Sequence, residues 1–169
     1  RFFEAKIDIA DAMARKHYAA VHGELSALAR KKDWPADKRL REIFFKRMRD
    51  SYNMFEENAK ILEVAEVLTR ERPTFANEQL ALERVFLTAV LEDGEAAGLF
   101  GPGDHAFTAE MMQSATMKFS LPQLWSRLTL PKLERELEGV LNLIMNGLYA
   151  RPSAPAIARE TRKPETVAT

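Results

Sequence analysis

Residues 1–28 read RFFEAKIDIADAMARKHYAAVHGELSAL, and within them Ile7, Ala10, Ala14, Tyr18, Val21, Leu25 and Leu28 recur at steps of three and four. That rhythm gathers the apolar side chains on one stripe of a 3.6-residue helix; a strand would alternate them every second residue. About six turns of helix follow from it. The stretch begins without a methionine, a capping residue or a preceding element, so an upstream segment is expected. It stops in Arg30-Lys31-Lys32-Asp33, where cations suit a helix C-terminus, and Trp34-Pro35 forces a new start.

The same reasoning extends along the chain. A second helix carries Leu40, Phe44, Met48, Tyr52 and Phe55 on one face, with Arg39, Arg41, Lys46, Arg47 and Arg49 largely on others. Asn58 is expected to cap a third helix, whose inward face is Ile61, Leu62, Ala65 and Leu68 and which Pro73 ends. A fourth starts near Thr74, holds Leu82, Val85, Phe86, Ala89 and Val90, and runs into Asp93-Gly94-Glu95-Ala96-Ala97-Gly98, where glycines let the chain leave the helix. Gly101-Pro102-Gly103 marks a loop. A fifth helix is expected from about Thr108, with Met111, Met112, Ala115 and Phe119, ending at Ser120-Leu121-Pro122. After a short connection containing Trp125, Pro131 opens the last helix, with Leu133, Leu137, Leu141, Ile144 and Leu148 on one seam. Beyond Ala150 an extended tail rich in proline is expected. No strand pattern and no repeat is present, so the fold class is all-α with about six helices.

Composition narrows function. At 169 residues and 46% apolar content the chain can bury one core, and its formal net charge is zero, so no global field draws it to nucleic acid or membrane. The charge is uneven: residues 1–50 hold thirteen Lys/Arg against eight Asp/Glu, and residues 51–100 hold four against ten. The absence of cysteine excludes disulfides and thiolate metal sites and is compatible with a reducing compartment. No apolar run approaches the length of a membrane span.

Catalytic signatures are missing. No Glu-x-x-His pair, His-Glu-x-x-His, Gly-x-Ser-x-Gly or phosphate-cradling Gly-x-x-x-x-Gly-Lys occurs, which implies a non-enzymatic role without a metal or other cofactor. His17 and His22 lie five residues apart on a helix, a spacing that turns them away from a shared metal; His105 sits in a loop beside Asp104. The soft stripe Phe44, Met48, Tyr52 and Phe55, joined by Phe86, Met111, Met112, Phe119 and Trp125, admits two readings. It is either core packing or the wall of an apolar ligand cavity.

Three stretches carry a family resemblance. Phe3, Lys6 and Ile9 match a Tyr-x-x-Phe-x-x-Lys-x-x-Leu pattern whose tyrosine would fall one residue before Arg1. Leu91-Glu92-Asp93-Gly94-Glu95-Ala96-Ala97-Gly98-Leu99-Phe100 is similar to an acidic-Gly-x-x-x-Gly-x-Phe turn followed by a helix. Phe119-Ser120-Leu121-Pro122-Gln123-Leu124 then precedes a final helix ending Asn146-Gly147-Leu148. In this order they resemble the TetR family of transcriptional regulators, from the seam below the DNA-binding head to the end of the body.

The resemblance implies a division of the chain: 1–5 a remnant of the helix-turn-helix domain, 6–150 a ligand-binding and dimerisation domain, 151–169 the tail. It implies that Lys6 meets a DNA phosphate and that Phe3 packs against the head. A small hydrophobic effector would bind among the first, second, fourth and fifth helices, touching Phe44, Met48, Tyr52, Phe55, Phe86, Met111 and Trp125. A homodimer would form as a four-helix bundle of the last two long helices, through Met112, Ala115, Thr116, Phe119, Leu137, Leu141, Ile144 and Leu148. The other partner would be operator DNA, reached through the upstream head, in a cytoplasmic protein with no membrane contact. The alternative is a stand-alone helical module that binds another protein.

Overall fold

The computed structural model describes residues 1–58, 60–125 and 127–152; the expected tail from residue 153 onward lies outside the described residues. Those residues form six α-helices and no strand: α1 (Phe2–Ala29), α2 (Ala36–Glu57), α3 (Ile61–Glu71), α4 (Phe75–Ala96), α5 (His105–Ala115) and α6 (Leu130–Leu148). Two 3-10 turns, Met117–Ser120 and Pro122–Leu124, join α5 to α6. The all-α class expected from the periodicity is the one observed.

The stripes meet in one core. Leu25 of α1, Leu40, Ile43 and Met48 of α2, Leu87 and Leu91 of α4, Met112 of α5 and Leu133, Leu137, Leu141 and Met145 of α6 are all withdrawn from solvent. Each such side chain contributes on the order of 2 kcal/mol relative to leaving it in water, so this cluster is the main stabilising element.

Three boundaries differ from the sequence reading. Asn58 ends α2 instead of capping α3, its side-chain oxygen accepting from the Lys60 N–H at 3.2 Å. The fifth helix starts earlier, at His105, because the Asp104 carboxylate accepts from the Phe107 N–H at 3.0 Å and caps it. It also stops at Ala115, so Phe119 enters the core from a 3-10 turn. On α4, Leu82 and Val85 face solvent, while Leu87, Val90 and Leu91 point inward.

The end of α4 does the most to fix helix positions. Arg39 of α2 is buried, and its Nη1 donates to Ala29 O at 2.9 Å and to the Asp93 carboxylate at 2.8 Å, while Lys32 pairs with the same carboxylate. One acid thereby ties the end of α1, the start of α2 and the end of α4. Next to it, Gly94 leaves room for the Phe100 ring; a Cβ there would overlap that ring and come within 3.0 Å of Ala36 Cβ. Gly98 has φ 72°, a left-handed value that L side chains avoid, and this turns the chain so that the Leu99 and Phe100 N–H groups both donate to Gly94 O. Phe100 is thus folded back as a plug. Gly101 N–H to Leu148 O (2.8 Å) and Ala150 N–H to Leu99 O (3.0 Å) then fasten the end of α6 to this turn.

Two outcomes are expected. Gly94→Ala should cost about 1–3 kcal/mol through overpacking, part of it recovered in the double variant with Phe100→Leu, as read by denaturant unfolding. Hydrogen bonding from Lys32 and then from Arg39 holds the Asp93 carboxyl below its ordinary value of 3.8. Its folded form therefore binds fewer protons than its unfolded form in acid, so its stabilisation is complete above that ordinary value and disappears as pH falls through the lowered one. Asp93→Asn should be less stable at pH 7 and should show a shallower loss of stability below about pH 4 than the parent chain.

Candidate functional site

A groove of about 180 Å³ runs between α1, α2 and α4, with the two 3-10 turns as its fourth wall. The volume is below that of most drug-sized sites, so its scale suits a small molecule. Each helix contributes residues one or two turns apart: His17, Tyr18, Val21 and His22 from α1, Arg47, Ser51 and Met54 from α2, and Gln79, Leu80 and Glu83 from α4. Met117, Leu121 and Pro122 add an apolar wall from the turns.

The polar groups of this groove are organised around a buried ion pair. Arg47 Nη1 donates to Glu83 Oε1 at 3.0 Å, and the two side chains are only 13% and 5% exposed, so neither charge could remain there without the other. Gln113 of α5 supports the pair, its Nε2 donating to Glu83 Oε1 at 3.3 Å and to Leu80 O at 2.9 Å, while its Oε1 accepts from Arg84 Nε at 3.1 Å. The fifth helix therefore reaches the groove through a single buried amide.

Around the pair lie rings. Tyr18 meets Phe75 edge-on at 5.5 Å and His22 at 6.0 Å, and His22 meets Phe86 at 6.3 Å. Burial pushes the His22 pKa below its ordinary 6.5, with Glu83 opposing and Arg47 adding to the effect, so the imidazole is neutral at pH 7. Loss of hydration raises the Tyr18 phenol, which keeps its proton, although 39% of the residue is exposed.

The seven residues expected to touch an effector occupy other places. Phe44, Met48 and Trp125 are core residues. Tyr52 stacks on Trp125 at 5.7 Å, and Phe55 meets that indole edge-on at 6.0 Å. Phe86 lies behind His22, and Met111 is 41% exposed on α5. The groove instead uses the adjoining face of α2, one residue round from the aromatic stripe. His17 and His22 both reach it, and among the described residues no group of three or more His, Cys, Asp or Glu could hold a metal.

Of the eight residues expected at a dimer interface, Met112, Thr116, Phe119, Leu137 and Leu141 are buried in the chain's own core and Ile144 and Leu148 are half-buried. Ala115 alone is exposed. The outward surfaces of these helices carry Phe107 (57% exposed) and Met111 on α5 and Leu143 (77% exposed) between Gly139 and Gly147 on α6. The N-terminal turn of α5 shares a hollow with α6 through Thr108 and Gly147, and Lys118 of the following 3-10 turn donates its Nζ to Glu136 of α6 at 2.6 Å. Lys6 is exposed on the first turns of α1, its Nζ 4.6 Å above the Phe2 ring, and Phe3 is 59% exposed.

The larger hollow, about 490 Å³, lies beneath the Gly101–Gly103 loop. Two of its polar side chains are already engaged, His105 with Glu95 and the Tyr149 hydroxyl donating to Asp37 at 2.7 Å.

Residues 36–141 match the family model described as tetracyclin repressor-like, C-terminal domain. The match opens on the first residue of α2 and closes within α6, so it includes three of the groove's four walls and leaves out α1. No curated protein matches the chain.

Arg47→Met should strand the Glu83 carboxylate and cost about 3 kcal/mol, whereas Arg47→Met with Glu83→Leu should recover most of that loss. Chemical unfolding of the two variants checks this.

Proposed function

Because the chain belongs to the tetracycline repressor-like C-terminal domain family, a family of effector-binding and dimerisation domains of transcriptional regulators, we propose that the α1–α2–α4 groove binds a small, largely apolar effector that modulates operator DNA binding. The observation that carries this reading is the continuity of α1. The helix that supplies His17, Tyr18, Val21 and His22 to the groove runs without a break to Phe2, where the resemblance puts the base of the DNA-binding head.

A ligand that wedges between α1 and α4 favours the arrangement in which the groove is open, and it acts only through its differential affinity for the two arrangements. Since α1 is rigid, tilting it at the groove displaces its N-terminus about 22 Å away. In a dimer this alters the separation of two heads that must meet half-sites one helical turn apart. Lys6, near the start of α1, is then available to a DNA phosphate, with residues 1–5 as the remnant of the head that runs unbroken into α1.

The homodimer uses the outward faces of α5 and α6. Phe107, Met111 and Ala115 on one helix and Gly139, Leu143 and Gly147 on the other are exposed in the single chain, and pairing them with a second copy would bury both in a four-helix bundle. A close approach is possible where α6 presents glycine.

Two measurements test this function. A panel of apolar compounds should raise the melting temperature and release operator DNA from the protein carrying its upstream head; a panel that does neither counts against the groove as an effector site. Leu143→Arg should convert the dimer to a monomer at micromolar concentration by light scattering, because a buried unpaired guanidinium on the symmetry axis cannot be hydrated. A parent chain that is itself monomeric would remove the dimer.

A further inference from the structure

The groove holds more hydrogen-bonding capacity than an apolar molecule can use. Gln79 is 7% exposed and lines it, yet its amide has no hydrogen-bond partner among the described residues. Glu83 Oε1 takes two donors while its Oε2 takes none among the described residues, and only Nη1 of Arg47 is engaged. Donors and acceptors therefore face the same space. A ligand without polar atoms would leave them dry and unpaired, which costs about 1–3 kcal/mol for each group so stranded.

The charges are balanced. Arg47 is neutralised by Glu83, and the Asp50 carboxylate is paired with Lys46 at 2.9 Å. His22 is held neutral, as described above. Among the described residues that line the groove no Lys or Arg lacks an acidic partner, and a carboxylate brought to Arg47 would sit against Glu83 as well. The rest of the groove is apolar, with Val21, Met54 and Leu121 on three different walls.

We propose that the groove selects a small neutral amphiphile whose polar end both donates and accepts hydrogen bonds, as a carboxamide or lactam does, over a carboxylate of the same shape. This rests on the effector reading of the groove and narrows it. The ligand carbonyl accepts from Arg47 or from the Gln79 amide, the ligand N–H donates to Glu83 Oε2 or to the Gln79 carbonyl, and the apolar end lies against Met54 and Leu121. Gln79 supplies one donor and one acceptor whichever way its amide is turned.

The test uses benzamide, benzoate and toluene as matched probes, titrated at pH 7 into the full chain with labelled methionine methyls, following Met54 and Met117. Benzamide should shift both methyls with a Kd about tenfold below that of benzoate. Gln79→Leu should weaken benzamide about fivefold while leaving toluene unchanged or tighter, a split that a merely structural role of Gln79 would not produce. Benzoate binding as tightly as benzamide, or benzamide indifferent to Gln79→Leu, overturns the proposal and leaves the effector reading standing. If none of the three moves either methyl, the groove is not a ligand site and both fall.

Discussion

The Asp93 carboxylate, gripped by Arg39 and Lys32, sets the relation of α2 to α4, and most of the remaining structure depends on that relation. The two helices run antiparallel, so moving from residue 39 to 47 on one and from 93 back to 83 on the other leads from this outer ion pair to the inner pair of Arg47 and Glu83. The outer pair clamps the helix ends where α1 also stops. The inner pair holds the same helices at the distance that leaves a groove between them. Packing alone would close such a gap, because apolar side chains interdigitate to the density of an organic crystal. A charged pair with a supporting amide keeps it open at a defined width.

That arrangement separates two mechanical regions. Below the inner pair, the leucines of α2, α4 and α6 form an apolar core bordered by buried Arg39. Above it, α1 leans on α4 through Tyr18 and Phe75, through Arg15 paired with Glu78 at 2.9 Å, and on α3 through Asp8 paired with Arg72 at 2.6 Å. The ion pairs here are exposed and individually worth little. The N-terminal half of α1 buries Ile7 and otherwise relies on such contacts, whereas its C-terminal half buries Leu25 and Ala29.

Much of the architecture was legible in the sequence because helical periodicity reports which face is dry. The α1 stripe and the α6 seam behave as read, and the glycine-rich end of α4 turns where the glycines allow it. What periodicity cannot report is which of two dry environments a face enters. Leu137 and Leu141 would look the same in a core or in a dimer, and here they are spent on the core. Leu82 and Val85 are apolar yet exposed, since the α4 stripe is wider than the surface that covers it. The groove is invisible to periodicity for a related reason. Arg39 and Arg47 read as charges off the apolar face of a helix, and only the antiparallel pairing of α2 with α4 brings each cation to its acid. A repeating Arg47, Ser51, Met54 line was the one local signal, and it mixes polar and apolar residues in a way that a search for hydrophobic faces discards.

The two tryptophans are placed so that the protein carries its own optical reference. Trp125 is buried, stacked on Tyr52, with its indole N–H donating to Lys118 O at 2.8 Å, and it directly follows the 3-10 turn whose Pro122 walls the groove. Trp34 lies at the opposite end of α2, between the ammonium groups of Lys31 and Lys38 at 4.1 and 4.0 Å. Emission from the first reports its packing against Tyr52 and Phe55, while the second reports the loop that precedes α2. Local loosening around Trp125 and global unfolding therefore have distinct spectral signatures in the unlabelled chain, one confined to the buried indole and the other reaching both.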